Sequence, residues 1–357
     1  MDAHNNPAGG ARDKPGRLSR ARIVLFSKRA ALSVVSVALA LAVVEIALRL
    51  FRPKYNVAIP WAYEYDEELA FRLKPSAHLF RTTDFQQEEV TNALGTANFQ
   101  ESFDDYPQLV FTVGDSYTQG LGVPSDASYP EQLDLILNRD EQGFYAKRYG
   151  VVNLGVAGFG GEQNLIAVSR YTARLRRAPS FILYLGCDND LTDDLMFRGG
   201  YRHTQLTEGN PRWGRLAVPL RWLSEDFQIG IQAKAFVLGR RRAGVERAAA
   251  ARATQEGGWP AAAAGEADIF ARLLDDARGH GATLVVSWAE AGASYDWLKS
   301  WAAQNGVAFA DWTPRAASVT AAIRSLPLDN SHSGGHHRAW ANGVIAEEFA
   351  RQVRGAK

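Results

Sequence analysis

Leu109-Val110-Phe111-Thr112-Val113-Gly114-Asp115-Ser116-Tyr117-Thr118-Gln119-Gly120 is the stretch from which the rest of the chain can be read. A short, almost wholly apolar run bounded by turn residues fits a strand covered on both faces. Gly114, Asp115 and Ser116 break that run, and a helical pattern begins near Tyr129, with Leu133, Ile136 and Leu137 on one face. Strand, tight turn and helix in succession are the unit of an α/β fold.

The unit recurs further along. Residues 150–154, 181–185, 283–288 and 307–311 are the next strand candidates. Between them lie an amphipathic stretch from Glu162 to Arg177 and a helically spaced set, Ile269, Phe270, Leu273 and Leu274. Such alternation predicts an α/β domain with a parallel five-stranded sheet and helices on both faces. Residues 196–265 interrupt the rhythm and include an Arg/Ala-rich tract from Arg240 to Arg252; they read as a surface excursion or as a lid. Residues 52–104, polar and aromatic without a sustained period, read as a partly stranded spacer.

The N-terminus is different in kind. Residues 1–29 carry Arg12, Lys14, Arg17, Arg20, Arg22, Lys28 and Arg29 against Asp2 and Asp13. Residues 30–51 are apolar apart from Glu45 and Arg49, a length close to the roughly 20 residues that cross a bilayer as a helix. Glu45 and Arg49 are four apart and share a helix face. A cleaved signal peptide and a buried core helix are the competing readings. The crowding of charge at the end of the run speaks against the first, and the basic tail before it against the second. The positive-inside rule then places residues 1–29 in the cytoplasm and the remainder outside the cytoplasmic membrane, held by a single-pass anchor.

Composition narrows the classes further. Forty basic against 39 acidic residues leave a net charge of +1, so there is no field to hold nucleic acid. The single cysteine, Cys187, excludes an intramolecular disulfide and a cysteine-built zinc site. No cofactor and no metal site is expected; His332 and His336 are four apart, but Gly334 and Gly335 between them argue against a preformed helical ligand face.

Candidate chemistry lies just after the strands, where open parallel sheets bind their ligands. Ser116, on a glycine-flanked turn that opens a helix, suits an exposed nucleophile or a simple helix cap. Gly158, in the glycine-rich loop after the second strand, can offer a backbone N–H to an oxyanion or serve as an ordinary turn residue. Asn189 after the third strand can donate its amide to the same oxygen or form an Asx turn. Asp329-Asn330-Ser331-His332 precedes the last helix, and an aspartate three residues before a histidine can hold an imidazole toward a serine. Cys187 as an alternative nucleophile is weighed against simple apolar burial.

Taken in order, these features resemble the SGNH/GDSL hydrolase superfamily. Gly114-Asp115-Ser116 with Thr118 and Gly120 is similar to its first block, Asn153 through Gly158 to its second, Asn189-Asp190-Leu191 to its third and Asp329 to His332 to its last. The resemblance covers residues 105–355, and the helix and spacer before them resemble its membrane-anchored branch. It implies a flavodoxin-like three-layer α/β/α sandwich with Ser116 as nucleophile, His332 as general base and Asp329 as its orienter. The Ser116 and Gly158 amides and the Asn189 side chain would form the oxyanion hole. Two departures stand out: the third block reads Gly186-Cys187-Asp188-Asn189-Asp190, and His336 becomes the base if the last loop sits in another register. The expected function is a membrane-anchored serine esterase acting on an O-acyl group of an envelope glycan or lipid. The alternatives are an O-acyltransferase acting on a polysaccharide, and a non-catalytic module working with polysaccharide-pathway proteins.

Overall fold

The computed structural model describes residues 20–51, 62–82, 86–198, 259–323, 326–329 and 335–356, with isolated positions between 219 and 244. The chain divides into two compact units, Met1–Arg52 and Pro53–Lys357.

In the first unit, helix α1 spans Arg20–Phe51 and starts well before the apolar run expected over residues 30–51. Its stretch Val24–Leu50, 27 residues, is long and apolar enough to cross a membrane. At 1.5 Å per residue it reaches about 40 Å, against about 30 Å of bilayer hydrocarbon. Val34, Val37, Leu39 and Val43 are exposed. The expected Glu45–Arg49 pair forms, with Arg49 Nε 2.7 Å from Glu45 Oε1.

The second unit opens with two antiparallel hairpins. The first joins β1 (Tyr63–Asp66) to β2 (Ala70–Leu73), and the second joins β3 (His78–Thr82) to β4 (Gln86–Val90). Asp66 shapes the first turn by accepting the amides of Glu68 and Leu69 at 3.0 and 2.8 Å. After β5 (Gln108–Gly114) come the short α2 (Ser116–Gln119), α3 (Tyr129–Asn138), β6 (Tyr149–Asn153), α4 (Gly161–Leu175), β7 (Phe181–Gly186) and α5 (Asp190–Arg198). Then follow α6 (Trp259–Gly279), β8 (Thr283–Trp288), α7 (Ala293–Asn305), β9 (Ala308–Phe309), α8 (Thr313–Ala322) and α9 (Ala339–Gly355). The insertion expected over residues 196–265 lies, apart from its two ends in α5 and α6 and isolated positions, outside the described residues.

Strands β5 to β9 form one parallel sheet in the order β6-β5-β7-β8-β9. This is the doubly wound, flavodoxin-like order, in which the chain builds one strand outward, then returns across the first and continues the other way. Right-handed crossovers place α3 on one face and α4, α6 and α7 on the other. Helix α9 packs beside α3 and completes three layers. Burial on both faces explains why Val110, Phe111, Val113, Val151, Ile182 and Leu183 read as continuous apolar runs rather than alternating ones. The edge strand β9 is shorter than expected over 307–311. Its strand register covers Ala308 and Phe309, Ala310 N adds one bond to the Val286 carbonyl at 2.9 Å, and Asp311 accepts Tyr295 Oη at 2.5 Å and Lys299 Nζ at 2.6 Å.

Of the segment expected as a spacer over 52–104, the described residues 62–82 and 86–104 belong to this second unit. Tyr63, Leu69, Phe71 and Leu73 form a satellite core with Val156 and Phe159 from the loop after β6. Asn98, buried, ties the segment to the sheet. Its Nδ2 donates to Glu131 Oε1 and to the Val151 carbonyl, both at 3.0 Å, while its Oδ1 accepts Asn153 N at 2.8 Å. Asn98→Ala leaves these buried groups unpaired and should lower unfolding free energy by roughly 2 to 4 kcal/mol in denaturant titration.

Burial above all, assisted by the neighbouring Asp134, raises the Glu131 carboxyl from 4.5 to about 7, although Asn98 donates to it. The folded carboxyl therefore holds its proton more tightly than the unfolded one. The stability this contributes is complete below the unfolded value of 4.5 and is lost as pH rises through about 7. Melting temperatures across that window should fall less steeply in Glu131→Gln than in the parent protein; parallel curves would remove Glu131 as a cause.

Candidate active site

Strand β5 ends at Gly114, whose φ is +152°. A Cβ there would strike Thr118 Oγ1 and the Leu185 carbonyl, so only glycine lets β5 turn sharply against the end of β7. Asp115 follows as the N-cap of α2: its Oδ1 accepts Tyr117 N at 2.9 Å. Its other oxygen, Oδ2, accepts the Ser116 hydroxyl at 2.8 Å and lies 3.4 Å from Asn189 Nδ2. One buried carboxylate thus joins the turn after β5 to the loop after β7.

Ser116 opens α2, where a first-turn N–H has no partner within the helix. Its Oγ lies 2.8 Å from Nε2 of His336. Tyr117 packs its ring against His336 and also against His337, each at 4.9 Å between centroids. His337 is buried, with Nδ1 2.7 Å from Asp329 Oδ1 and Nε2 2.8 Å from the Ala289 carbonyl. Asp329 and His337 also face each other across an isolated antiparallel bridge. Asp329, expected to orient His332, is therefore placed against His337. The carboxylate thus meets a residue eight positions on rather than three. His332, expected as the base, lies outside the described residues.

The loop after β6 is held against the same turn. Gly155 approaches the Thr118 and Gln119 backbone too closely for any side chain, and Ala157 N donates to Gln119 Oε1 at 2.6 Å. Gly158, at φ +84°, sits in this loop. Asn189 holds its amide between two carboxylates, donating to Asp193 Oδ2 at 2.6 Å and at longer range to Asp115. Cys187 donates to Asn189 Oδ1 and Asp190 Oδ1, both at 3.1 Å. Burial, reinforced by Asp115 and Asp190, pushes the Cys187 thiol well up, which keeps it protonated and unsuited as a nucleophile.

Three participants were given no role of their own in the sequence. Asp115 was read as part of the turn and of the Gly114-Asp115-Ser116 block. Tyr117 carries the two histidines, and burial first, with Glu290 and Asp115 nearby, pushes its hydroxyl well up. Glu290, just after β8, accepts Asp188 N at 3.2 Å. Burial, followed by the charges of Asp188 and Asp115, raises its carboxyl to about 7. Its place at the C-terminal end of a sheet strand was the one available clue. Among the described residues, no group of three or more His, Cys, Asp or Glu side chains is arranged to hold a metal ion.

No family model matches the sequence, and no curated protein matches it. Among solved structures, the chain is similar to TesA, at 15% identity over 70% of this chain and 100% of that one, with a TM-score of 0.39. It is similar to a member of the lipolytic protein G-D-S-L family from Veillonella parvula DSM 2008, at 12% identity over 68% of this chain and 97% of that one, TM-score 0.37. It is also similar to AlinE4, an SGNH-hydrolase family esterase, at 13% identity over 70% and 96% of the two chains, TM-score 0.33.

Because Gly114 meets backbone as well as side chain, Gly114→Ala should cost more than about 2 kcal/mol of stability. Denaturant unfolding followed by circular dichroism checks this; a loss within error of zero would mean the turn relaxes freely.

Proposed function

We propose that this chain is a serine ester hydrolase of the SGNH/GDSL type, anchored by α1 in the cytoplasmic membrane with its α/β unit on the outer side. The observation that carries the reading is the 2.8 Å contact between Ser116 Oγ and His336 Nε2 on the turn after the first sheet strand. A serine near neutral pH needs a base at hydrogen-bond distance to become nucleophilic, and an imidazole suits that task.

In this mechanism the Ser116 hydroxyl turns from Asp115 Oδ2 to His336 Nε2, which takes its proton while Oγ attacks the ester carbonyl carbon. Negative charge collects on the carbonyl oxygen, which the Ser116 and Gly158 amides and Asn189 Nδ2 stabilise. Asn189 is poised for this, since its 3.4 Å contact with Asp115 is the weaker of its two and an oxyanion can replace it. The imidazolium returns the proton to the departing alcohol, and water repeats the cycle on the acyl-enzyme. Asp329 acts through His337, fixing the segment from which His336 projects. The substrate is an O-acyl ester, acetyl in the simplest case, on an envelope glycan or lipid. The basic N-terminal tail supports the orientation in the membrane.

Fluorophosphonate labelling of the full-length protein in detergent tests the assignment. The parent protein should label and Ser116→Ala should not. His336→Ala should slow labelling at least about a hundredfold, and Asn189→Ala at least about tenfold. His332→Ala should label at the parent rate; loss in that variant with retention in His336→Ala would return the base to His332.

A further inference from the structure

Away from the Ser116 turn, a cleft of about 740 Å³ opens where the end of α3, the loop 139–148 and α9 meet, with Arg315 of α8 on its wall. That volume falls within the roughly 300–1,000 Å³ typical of ligand pockets. It shares no residue with the site described above. Arg139, Arg148, Arg315, Arg351 and Arg354 line it, against the carboxylates of Asp140, Glu141 and Glu347.

Three of the five guanidiniums have structural work. Arg315 pairs with Glu347, Arg351 pairs with Glu348 at 2.5 Å, and Arg354 donates to the Ile136 carbonyl at 2.5 Å. The side chains of Arg139 and Arg148 have no hydrogen-bond or ion-pair partner among the described residues, and both are exposed. They are held near one another, because Asn138, the neighbour of Arg139, accepts Arg148 N on its Oδ1 at 2.8 Å. Asp140 is occupied in shaping the loop, accepting Phe144 N at 2.7 Å. That bond holds the Phe144 backbone to Asp140 of the cleft wall, and the Phe144 side chain is 71% exposed, an apolar face of the kind on which sugar rings stack.

We propose that this cleft binds a glycan bearing carboxylates, with Arg139 and Arg148 each taking one carboxylate and Phe144 taking a sugar face. A guanidinium matches a carboxylate in a bidentate fork, and two separate unpaired forks suit single charges spaced along a chain. The inference stands apart from the hydrolase reading and does not depend on it.

The test is calorimetric titration of the full-length protein, in neutral detergent micelles, with a short oligogalacturonate. Binding should weaken at least tenfold in the Arg139→Gln, Arg148→Gln double variant and at raised salt, and a neutral galactose oligomer of the same length should not bind. The variant should melt with the parent protein, since neither side chain has a partner to lose. Undetectable binding, equal binding by the double variant, or equal binding of the neutral oligomer would overturn the proposal. So would tighter binding of glycerol phosphate, which would point to a lipid headgroup, or of oligoglutamate, which would point to an acidic peptide.

Discussion

Everything at the C-terminal end of the sheet is organised around the carboxylate of Asp115. It is almost fully buried, and a polar group in that position is costly unless its lone pairs are used. They are: one oxygen caps α2 through Tyr117 N, and the other meets Ser116 Oγ and Asn189 Nδ2. The same group therefore starts the helix, sets the serine and reaches the loop after β7. The glycine before it is the geometric condition, since no side chain fits between Thr118 and the Leu185 carbonyl.

Around that point the hairpin segment has a positioning role. Gln119, one turn past Asp115, accepts Tyr63 Oη at 3.1 Å and Ala157 N at 2.6 Å on the same oxygen, and its amide donates to Glu89. Gln87 reaches Gly122 N at 3.2 Å and the Gly120 carbonyl at 3.3 Å. Residues from β1 and β4 thus brace both the serine turn and the loop that carries Gly158. Interactions that share partners in this way couple, so this wall and the turn should behave as one unit rather than as separate contributions.

The carboxylates near the serine give the site an acidic character. Burial above all, and then the nearby Asp188 and Asp115, disfavour ionisation of Glu290. Tyr117 sits among them with a hydroxyl that stays protonated, which leaves its ring free to serve as a packing surface for two histidines. Positive charge is concentrated elsewhere, in the cleft by α9, so the two ends of the α3–α9 layer present opposite chemistry.

Local pattern was enough for much of this. Apolar run lengths located all five sheet strands to within a few residues, because a strand buried on both faces must be apolar throughout. The N-terminal run was legible for the same reason, length and lack of charge being what a membrane-crossing helix requires. Glycines bracketing Ser116 and the loop after β6 marked where backbone approaches backbone. Tertiary structure decided which histidine meets the serine. The sequence placed Asp329 three residues before His332, whereas in the fold Asp329 pairs with His337 and the neighbouring His336 meets Ser116. It also decided that residues of 62–82 and 86–104 wall the site, since their side-chain partners lie dozens of positions away on α2, α3 and β6. Spacing along a chain reports contacts only within one element; contacts between elements are set by how the layers pack, and that information is not local.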